Sequence, residues 1–186
     1  MSTGTMVFLI IGIAAVAVGV FLYFRKRKSE NLHKSFGPEY ERTVHEFGDR
    51  RKAEAELERR TRRVAKFHIR GLTRDDRERF AEAWRVDQGR FVDDPHEAVQ
   101  SAHQLVNDVM RTRGYPVSSE FRENAADLSV DHPKVVERYR AACEIAERQE
   151  SGQADTEDLR RAMVNYRALF EELLDVGANE PVEVRK

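Results

Sequence analysis

Residues 6–24 form an uninterrupted apolar run, MVFLIIGIAAVAVGVFLYF, in which none of the nineteen side chains is charged. A helix of this length spans about 28 Å, close to the roughly 30 Å hydrocarbon core of a bilayer. Glycine is common in membrane helices, so Gly12 and Gly19 are compatible with such a segment. The run therefore predicts a transmembrane helix, preceded by a short N-terminal flank of residues 1–5.

A cleaved signal peptide is the main alternative for the same run. Signal peptides begin with basic residues, have a shorter apolar stretch and end at a small-residue cleavage site. Here the opening letters MSTGT include no basic side chain. The run is followed at once by a basic tetrad, Arg25, Lys26, Arg27 and Lys28. These features favour an uncleaved anchor.

The basic tetrad also predicts the orientation of the anchor. Positively charged flanks stay on the cytoplasmic side, which places the N-terminus outside and the body of the protein in the cytoplasm. The four side chains are expected to contact anionic lipid head groups, at roughly 1 kcal/mol per basic residue. Ala15 and Gly19 have the spacing of small residues in dimerising membrane helices, which leaves a homodimer open.

Charge is unevenly distributed over the rest of the chain. Residues 25–70 contain 15 basic and 8 acidic side chains, whereas residues 71–186 contain 17 basic and 25 acidic ones. The first of these segments has a helical pattern with few apolar positions and with opposite charges at i, i+4. A helix that is polar on all sides either bridges solvent or relies on its own ion pairs. Residues 25–71 are therefore predicted to be a basic juxtamembrane segment and a long charged helical stalk.

Two local features lie within this stalk. Residues 29–38 contain the Gly-Pro pair typical of turns and predict a short connector. Further on, four arginines stand close together and could contact phosphate groups of lipid or nucleic acid. They are Arg59, Arg60, Arg62 and Arg63. Because glutamates alternate with them and no aromatic platform accompanies them, a solvated spacer is favoured over nucleic-acid binding.

Residues 72–176 show repeated helix start and stop signals and predict an acidic helical domain. Thr73 and Asp94 are suited to N-caps, and Gly114 is suited to end a helix. The longest amphipathic stripe comprises Leu159, Ala162, Met163, Tyr166, Leu169, Phe170 and Leu173. No strand pair with alternating polarity is evident. The fold class predicted is all-α, with a small C-terminal helical bundle and a flexible tail over residues 177–186.

The sequence contains no recognisable catalytic, metal-binding or cofactor-binding motif. No two of its histidines lie four residues apart, and Cys143, the single cysteine, lies on an apolar helical stripe. Such a cysteine is more often a small core residue than a nucleophile. No catalytic residue, metal ligand or cofactor is therefore predicted, and the chain is not expected to be an enzyme. An active site assembled from dispersed residues stays open as an alternative.

Several short segments resemble a family of uncharacterised bacterial single-pass membrane proteins. They are FGPEY (36–40), GDRR (48–51), FVDDP (91–95), GYP (114–116), DLSVDHP (127–133) and YRALF (166–170). The resemblance covers most of the chain after the anchor. It implies a bacterial plasma membrane as the location and an ordered body, and it carries no activity, cofactor or site residue.

These observations together predict a membrane-anchored helical interaction or scaffold protein that binds a protein partner at the cytoplasmic membrane face. The anchor, the uneven charge and the lack of catalytic motifs are the basis of this prediction. The alternative is a membrane-surface binder of anionic lipid or nucleic acid that acts through residues 25–70.

Overall fold

The computed structural model describes residues 3–175. In the first helix it describes the side chains from residue 22 onward and only a few of those before it. The described chain is all-α, with eight helices and no strand, as predicted. The helices are α1 (Thr3–Phe36), α2 (Pro38–Phe47), α3 (Arg50–Val64), α4 (Arg74–Arg90), α5 (Pro95–Arg113), α6 (Phe121–Asp131), α7 (Val136–Glu150) and α8 (Thr156–Asp175). They belong to two compact units, Met1–Leu57 and Glu58–Lys186. The predicted tail, residues 177–186, lies outside the described residues.

The predicted transmembrane segment, residues 6–24, lies within α1. Among the described residues, no helix combines the length and the apolar character required to cross a membrane. Most side chains of residues 6–24 are not among the described residues.

In the first unit, the first helix extends further than the sequence predicted, and the predicted stalk helix is divided into two. The connector expected over residues 29–38 is helical as far as Phe36, and only Gly37, with φ at 49°, separates α1 from α2. The single stalk helix expected beyond it is divided at Gly48, where φ is 62°. Both breaks use the left-handed backbone region that glycine enters without steric cost. The expected charged pair Arg50–Glu54 is present, with 3.1 Å between Nε and Oε1.

A cluster of polar side chains joins the three helices of this unit. Tyr40 donates a hydrogen bond to Glu54 at 2.8 Å, and the Arg50 Nε donates to the Tyr40 hydroxyl at 2.8 Å. Ser29, near the end of α1, also donates to Glu54 and accepts from Arg50. Burial raises the pKa of the Glu54 carboxyl, but hydrogen bonds from Ser29, Tyr40 and Arg50 outweigh it and lower the pKa overall. We call these four residues the polar clasp.

The second unit is a bundle in which α5, α7 and α8 pack together, α4 packs on α5, and α6 packs on α7. Every apolar residue of the predicted α8 stripe is buried, from Leu159 to Leu173. The single tryptophan, Trp84, stacks on Phe170 with 4.9 Å between ring centroids. This continuous apolar core confirms the predicted helical bundle.

Local start and stop signals are placed as predicted at most helix ends. The Thr73 and Asp94 side chains accept hydrogen bonds from the backbone N–H three residues on, at 3.1 and 3.0 Å. Gly114 caps α5 with φ at 95°. At the end of α6, His132 is the C-cap, and α7 begins only at Val136.

A short segment from Phe67 to Thr73 runs back over the end of α5. The backbone N–H of Arg70 donates to the Arg113 carbonyl at 2.8 Å, and the Arg70 Nε donates to the Thr112 carbonyl at 3.0 Å. A methyl group at Gly114 would lie far inside van der Waals contact of the His68 carbonyl oxygen. The close approach of the two backbones therefore depends on glycine at this position.

Candidate functional site

Two of the four arginines for which phosphate contact was the alternative to a solvated spacer are engaged within the second unit. Arg60 is 6 % exposed and donates to the Ser129 hydroxyl at 3.4 Å. Arg63 forms ion pairs with Glu123 and with Asp127, the latter at 3.2 Å. The segment therefore differs from the solvated spacer helix predicted, because one of its faces packs on the bundle through these side chains and through buried Val64.

The remaining two arginines of the cluster, Arg59 and Arg62, are exposed. Arg62 forms the expected i, i+4 ion pair with Glu58, with 3.4 Å between the paired atoms. The structure thus does not present the four arginines as one phosphate-binding surface.

The basic tetrad that follows the apolar run is arranged differently. Arg25, Lys26, Arg27 and Lys28 all lie on the exposed surface of α1. The Nζ atom of Lys26 lies 4.0 Å from Oε1 of Glu30. The exposed rings of Tyr23 and Phe24 directly precede the tetrad in the helix. Aromatic rings next to basic side chains are typical of the boundary between bilayer and water.

The second unit contains a pocket of about 490 Å³ that the sequence did not predict. Its apolar wall comprises Val64, Phe67, Ile69 and Val130. Its polar side chains are Arg113, Tyr115, Asp131 and His132, which come from the ends of α5 and α6 and the loop after α5. A concave site with a mainly apolar wall and a few convergent polar groups is typical of small-molecule sites.

Arg113 places a buried positive charge in this pocket. It is the last residue of α5 and is 4 % exposed. One guanidinium nitrogen donates to the backbone carbonyl of Leu173 at 3.0 Å, which fixes the side chain against the end of α8. A guanidinium at a helix C-terminus is favourably placed relative to the helix dipole.

His132 is the second polar group of the pocket and is 2 % exposed. Its Nδ1 lies 3.4 Å from a carboxylate oxygen of Glu172, so the proton of a neutral ring is on Nδ1. Nε2 has no hydrogen-bond partner among the described residues. Burial, followed by the charge of Arg113, lowers the pKa of His132. The ring therefore offers an unused acceptor at Nε2.

Tyr115 and Asp131 form a hydrogen-bonded pair beside these groups. The Tyr115 hydroxyl donates to the Asp131 carboxylate at 2.6 Å. Burial and this hydrogen bond raise the pKa of Tyr115, so the hydroxyl stays protonated and continues to donate. One oxygen of Asp131 is therefore already occupied.

A second polar cluster in the bundle comprises His103, Asn107, Cys143 and Tyr166. His103 Nδ1 lies 2.9 Å from the Tyr166 hydroxyl and 3.9 Å from the Cys143 sulfur. His103 Nε2 lies 3.0 Å from the Asn107 side chain. Burial raises the pKa of the Cys143 thiol to about 12, and the thiol is 2 % exposed. The thiol is thus protonated and enclosed, as expected of a core residue rather than a nucleophile.

The described residues contain no group of three or more histidine, cysteine, aspartate or glutamate side chains that could hold a metal ion. The pocket was not recognisable in the sequence because its polar residues are separated in the chain and share no motif. The hydrogen-bond partner of His132, Glu172, is forty residues away in the chain.

A model of the LPXTG cell wall anchor motif matches residues 2–31. The match covers the apolar run and the basic tetrad, and it indicates an association of this segment with the cell envelope. The five-residue pattern that gives the motif its name does not occur in the sequence. No curated protein and no solved structure matches the chain significantly.

Proposed function

We propose that the protein is a membrane-anchored helical interaction protein that holds its second unit at the cytoplasmic face of a bacterial membrane, where it binds a protein partner. One observation carries this proposal. The uncharged run of residues 6–24 and the basic tetrad that follows it belong to one unbroken helix, α1. The match of the same segment to an envelope anchor motif supports it.

The orientation follows from the basic tetrad. Lysine and arginine beside a membrane helix remain in the cytoplasm, so residues after α1 are on that side. A reporter that is active only after export, fused behind Lys186, is expected to be inactive. Activity of that reporter would reverse the orientation.

The second unit is the part we assign to partner binding. Its core is closed, and it is acidic overall, which keeps it away from anionic lipid. We do not assign it an enzymatic activity, because its cysteine and core histidine form an enclosed network. The spacing of Ala15 and Gly19 still permits a homodimer through the anchor.

The alternative function, binding of anionic lipid or nucleic acid through residues 25–70, is best supported for the basic tetrad alone. Arg60 and Arg63 already contact Ser129, Glu123 and Asp127. Lipid contact at the tetrad accompanies anchoring and needs no separate site. Nucleic-acid binding would require arginines that are engaged elsewhere.

Photo-crosslinking of the full-length chain in cells tests partner binding. A photoreactive residue is placed at Val86 or Val164, two half-exposed positions on α4 and α8, or at Val92. We expect one recurrent protein adduct at one or more of these positions. Its retention after residues 1–28 are exchanged for an unrelated membrane helix would assign binding to the body. Absence of protein adducts at all three positions would contradict the proposal.

A further inference from the structure

We propose that the turn between α2 and α3, together with the first residues of α3, binds the anionic surface of the same bilayer that holds α1. We call residues 47–52 the membrane turn. Phe47 lies among the lipid head groups, and Arg51 and Lys52 contact their phosphates. The inference rests on the proposed function in one respect, that α1 spans the membrane, and it adds a lipid contact outside the basic tetrad.

Helix α2 runs back along α1, towards the apolar run. The Nε2 atom of His33 in α1 lies 3.2 Å from Oε1 of Glu41 in α2. The Tyr40 hydroxyl lies 3.4 Å from the Oγ atom of Ser29, which is one turn further back along α1. Because residues that follow the turn at the end of α1 contact residues that precede it, the two helices are antiparallel.

This pairing determines the level of the membrane turn along the axis of α1. Six residues further along α2, at Phe47, correspond to six residues further back along α1, at Arg27. The Arg50 Nη2 donates to the Ser29 hydroxyl, which fixes the far side of the turn at a similar level. Arg27 lies about 4.5 Å beyond Phe24, the end of the apolar run, along the helix axis. That level is within the head-group layer, which is roughly 5–7 Å thick on each side of the hydrocarbon core.

The side chains of the membrane turn suit the head-group layer. Phe47 is 40 % exposed despite its large apolar side chain, and such rings bury readily at the boundary between head groups and acyl chains. Arg51 and Lys52 are exposed, and basic side chains at this depth are attracted to anionic lipid. Asp49, the acid of the turn, accepts the backbone N–H of Lys52 at 2.9 Å and is therefore directed to the start of α3.

The polar clasp holds the membrane turn at this level. The Arg50 guanidinium donates to one side chain from each of the three helices, namely Ser29, Tyr40 and Glu54. Once α1 is in the bilayer, binding of the turn to lipid is an intramolecular step and needs little affinity of its own. The first unit then contacts the membrane at two places, the basic tetrad and the membrane turn, and a second contact restricts its rotation about α1.

The depth of the membrane turn can be measured in the full-length chain, in nanodiscs of phosphatidylcholine and phosphatidylglycerol in equal parts. A nitroxide is attached to one introduced cysteine, and lipid with nickel chelated at its head group relaxes the nitroxide. Cys143 is buried and does not compete for the label. His45→Cys, at an exposed position of α2, keeps Phe47 in place. Arg27→Cys and Ser35→Cys, at exposed positions of α1, are the references within and beyond the head-group layer.

We expect the relaxation at His45→Cys to be close to that at Arg27→Cys. It should be at least about threefold greater than at Ser35→Cys, because the levels of residues 45 and 35 differ by about 9 Å. Weak relaxation at His45→Cys with strong relaxation at Arg27→Cys would overturn the inference and leave the anchor in place. Weak relaxation at both positions would overturn the anchor as well, so the two failures are distinguishable.

Charge selectivity tests the contact made by Arg51 and Lys52. Phosphatidylglycerol and phosphatidylcholine that carry the same photoreactive group near the head group are compared in the full-length chain. Their adducts on residues 47–52 are quantified by mass spectrometry. We expect the phosphatidylglycerol probe to give at least about threefold more adduct, because each basic residue near the surface favours anionic lipid.

A charge-reversal variant assigns this selectivity to the two side chains. The ratio of the two adducts should fall to about one in the double variant Arg51→Glu, Lys52→Glu, which repels anionic lipid. The matched control is Lys134→Glu, Arg138→Glu, at two exposed basic positions near the start of α7, and it should leave the ratio unchanged. Equal adduct yields in the unmodified chain, or a ratio that survives the first double variant, would overturn the proposal.

Discussion

The helices within each unit are held together by a different kind of interaction. In Met1–Leu57, the polar clasp of Ser29, Tyr40, Arg50 and Glu54 joins the three helices. In Glu58–Lys186, an apolar core runs continuously through α4–α8. Apolar burial is nondirectional and scales with area, whereas hydrogen bonds contribute a small net amount and depend on a few atoms. We therefore expect the second unit to have the higher stability and the first to respond to single polar substitutions.

The largest effect should come from the apolar core. Leu169→Ala removes a fully buried side chain of α8 and is expected to lower the unfolding free energy by about 3–4 kcal/mol. Denaturant unfolding followed by the fluorescence of Trp84 measures this change. Val164→Ala, at a half-exposed position of the same helix, should change it by less than about 0.5 kcal/mol. Equal effects of the two substitutions would contradict an apolar core at α8.

The close backbone approach at Gly114 should give the next largest effect. Gly114→Ala combines φ at 95° with a clash against the His68 carbonyl, and a loss of about 3 kcal/mol is expected. Gly152→Ala is the control, because φ is 71° but no atom lies within 4 Å of the added methyl group. It should cost about 1 kcal/mol. A Gly114→Ala loss no larger than that of the control would show that residues 67–73 do not lie over α5.

The stability of the second unit should depend on pH through Asp127, which forms an ion pair with Arg63 of α3. Burial raises the pKa of Asp127 to about 6, although Arg63 beside it acts to lower the value. The folded protein therefore binds the proton more tightly than the unfolded chain does. This contribution to stability is present at low pH and is lost as pH rises from about 4 to about 6.

Asp127→Asn removes this titration. The unfolding free energy of the unmodified protein, relative to the variant, is expected to fall by up to about 3 kcal/mol between pH 4 and pH 6. Above about pH 6 the difference should be constant. Glu123→Gln is the matched comparison, because its carboxyl pairs with the same Arg63 but has its pKa lowered, so the slope should have the opposite sign. A difference that does not depend on pH would contradict burial of Asp127.

The smallest effect is expected in the polar clasp. Tyr40→Phe removes the hydroxyl that links Arg50 to Glu54 and should cost about 1 kcal/mol. Hydrogen exchange should become faster in Pro38–Phe47, while the unfolding transition reported by Trp84 stays unchanged. Tyr23→Phe, at an exposed tyrosine of α1, is the control. Loss of Trp84 stability in Tyr40→Phe would show that the units do not respond separately.

The predictable parts of the fold are those that depend on residues close together in the chain. Thr73, Asp94 and Gly114 act on backbone groups within three residues, and each was identified correctly from the sequence. The stripe of α8 was predictable because apolar periodicity indicates which face of a helix is buried. The break at Gly48 was missed, because a highly charged sequence shows little apolar periodicity.

The candidate site was less predictable because it depends on distant residues. Arg113 contacts Leu173 sixty residues away, and His132 contacts Glu172 forty residues away. Arg60 and Arg63 lie in a basic, nearly uniform stretch, and only their side-chain contacts with Ser129, Glu123 and Asp127 show that they are engaged. Local sequence does not specify such pairings, so the interpretation of this stretch as a solvated spacer rested on composition alone.

Anchoring by α1 is tested by the partition of the full-length protein between membrane and supernatant after alkaline carbonate extraction. We expect the protein to remain in the membrane fraction, and a variant with Gly12→Arg and Ala15→Arg to move to the supernatant while Trp84 reports the same folded second unit. Charged residues at the centre of a membrane helix each cost about 2.5–3.5 kcal/mol, which is sufficient to prevent insertion. Recovery of the unmodified protein in the supernatant would contradict anchoring by α1.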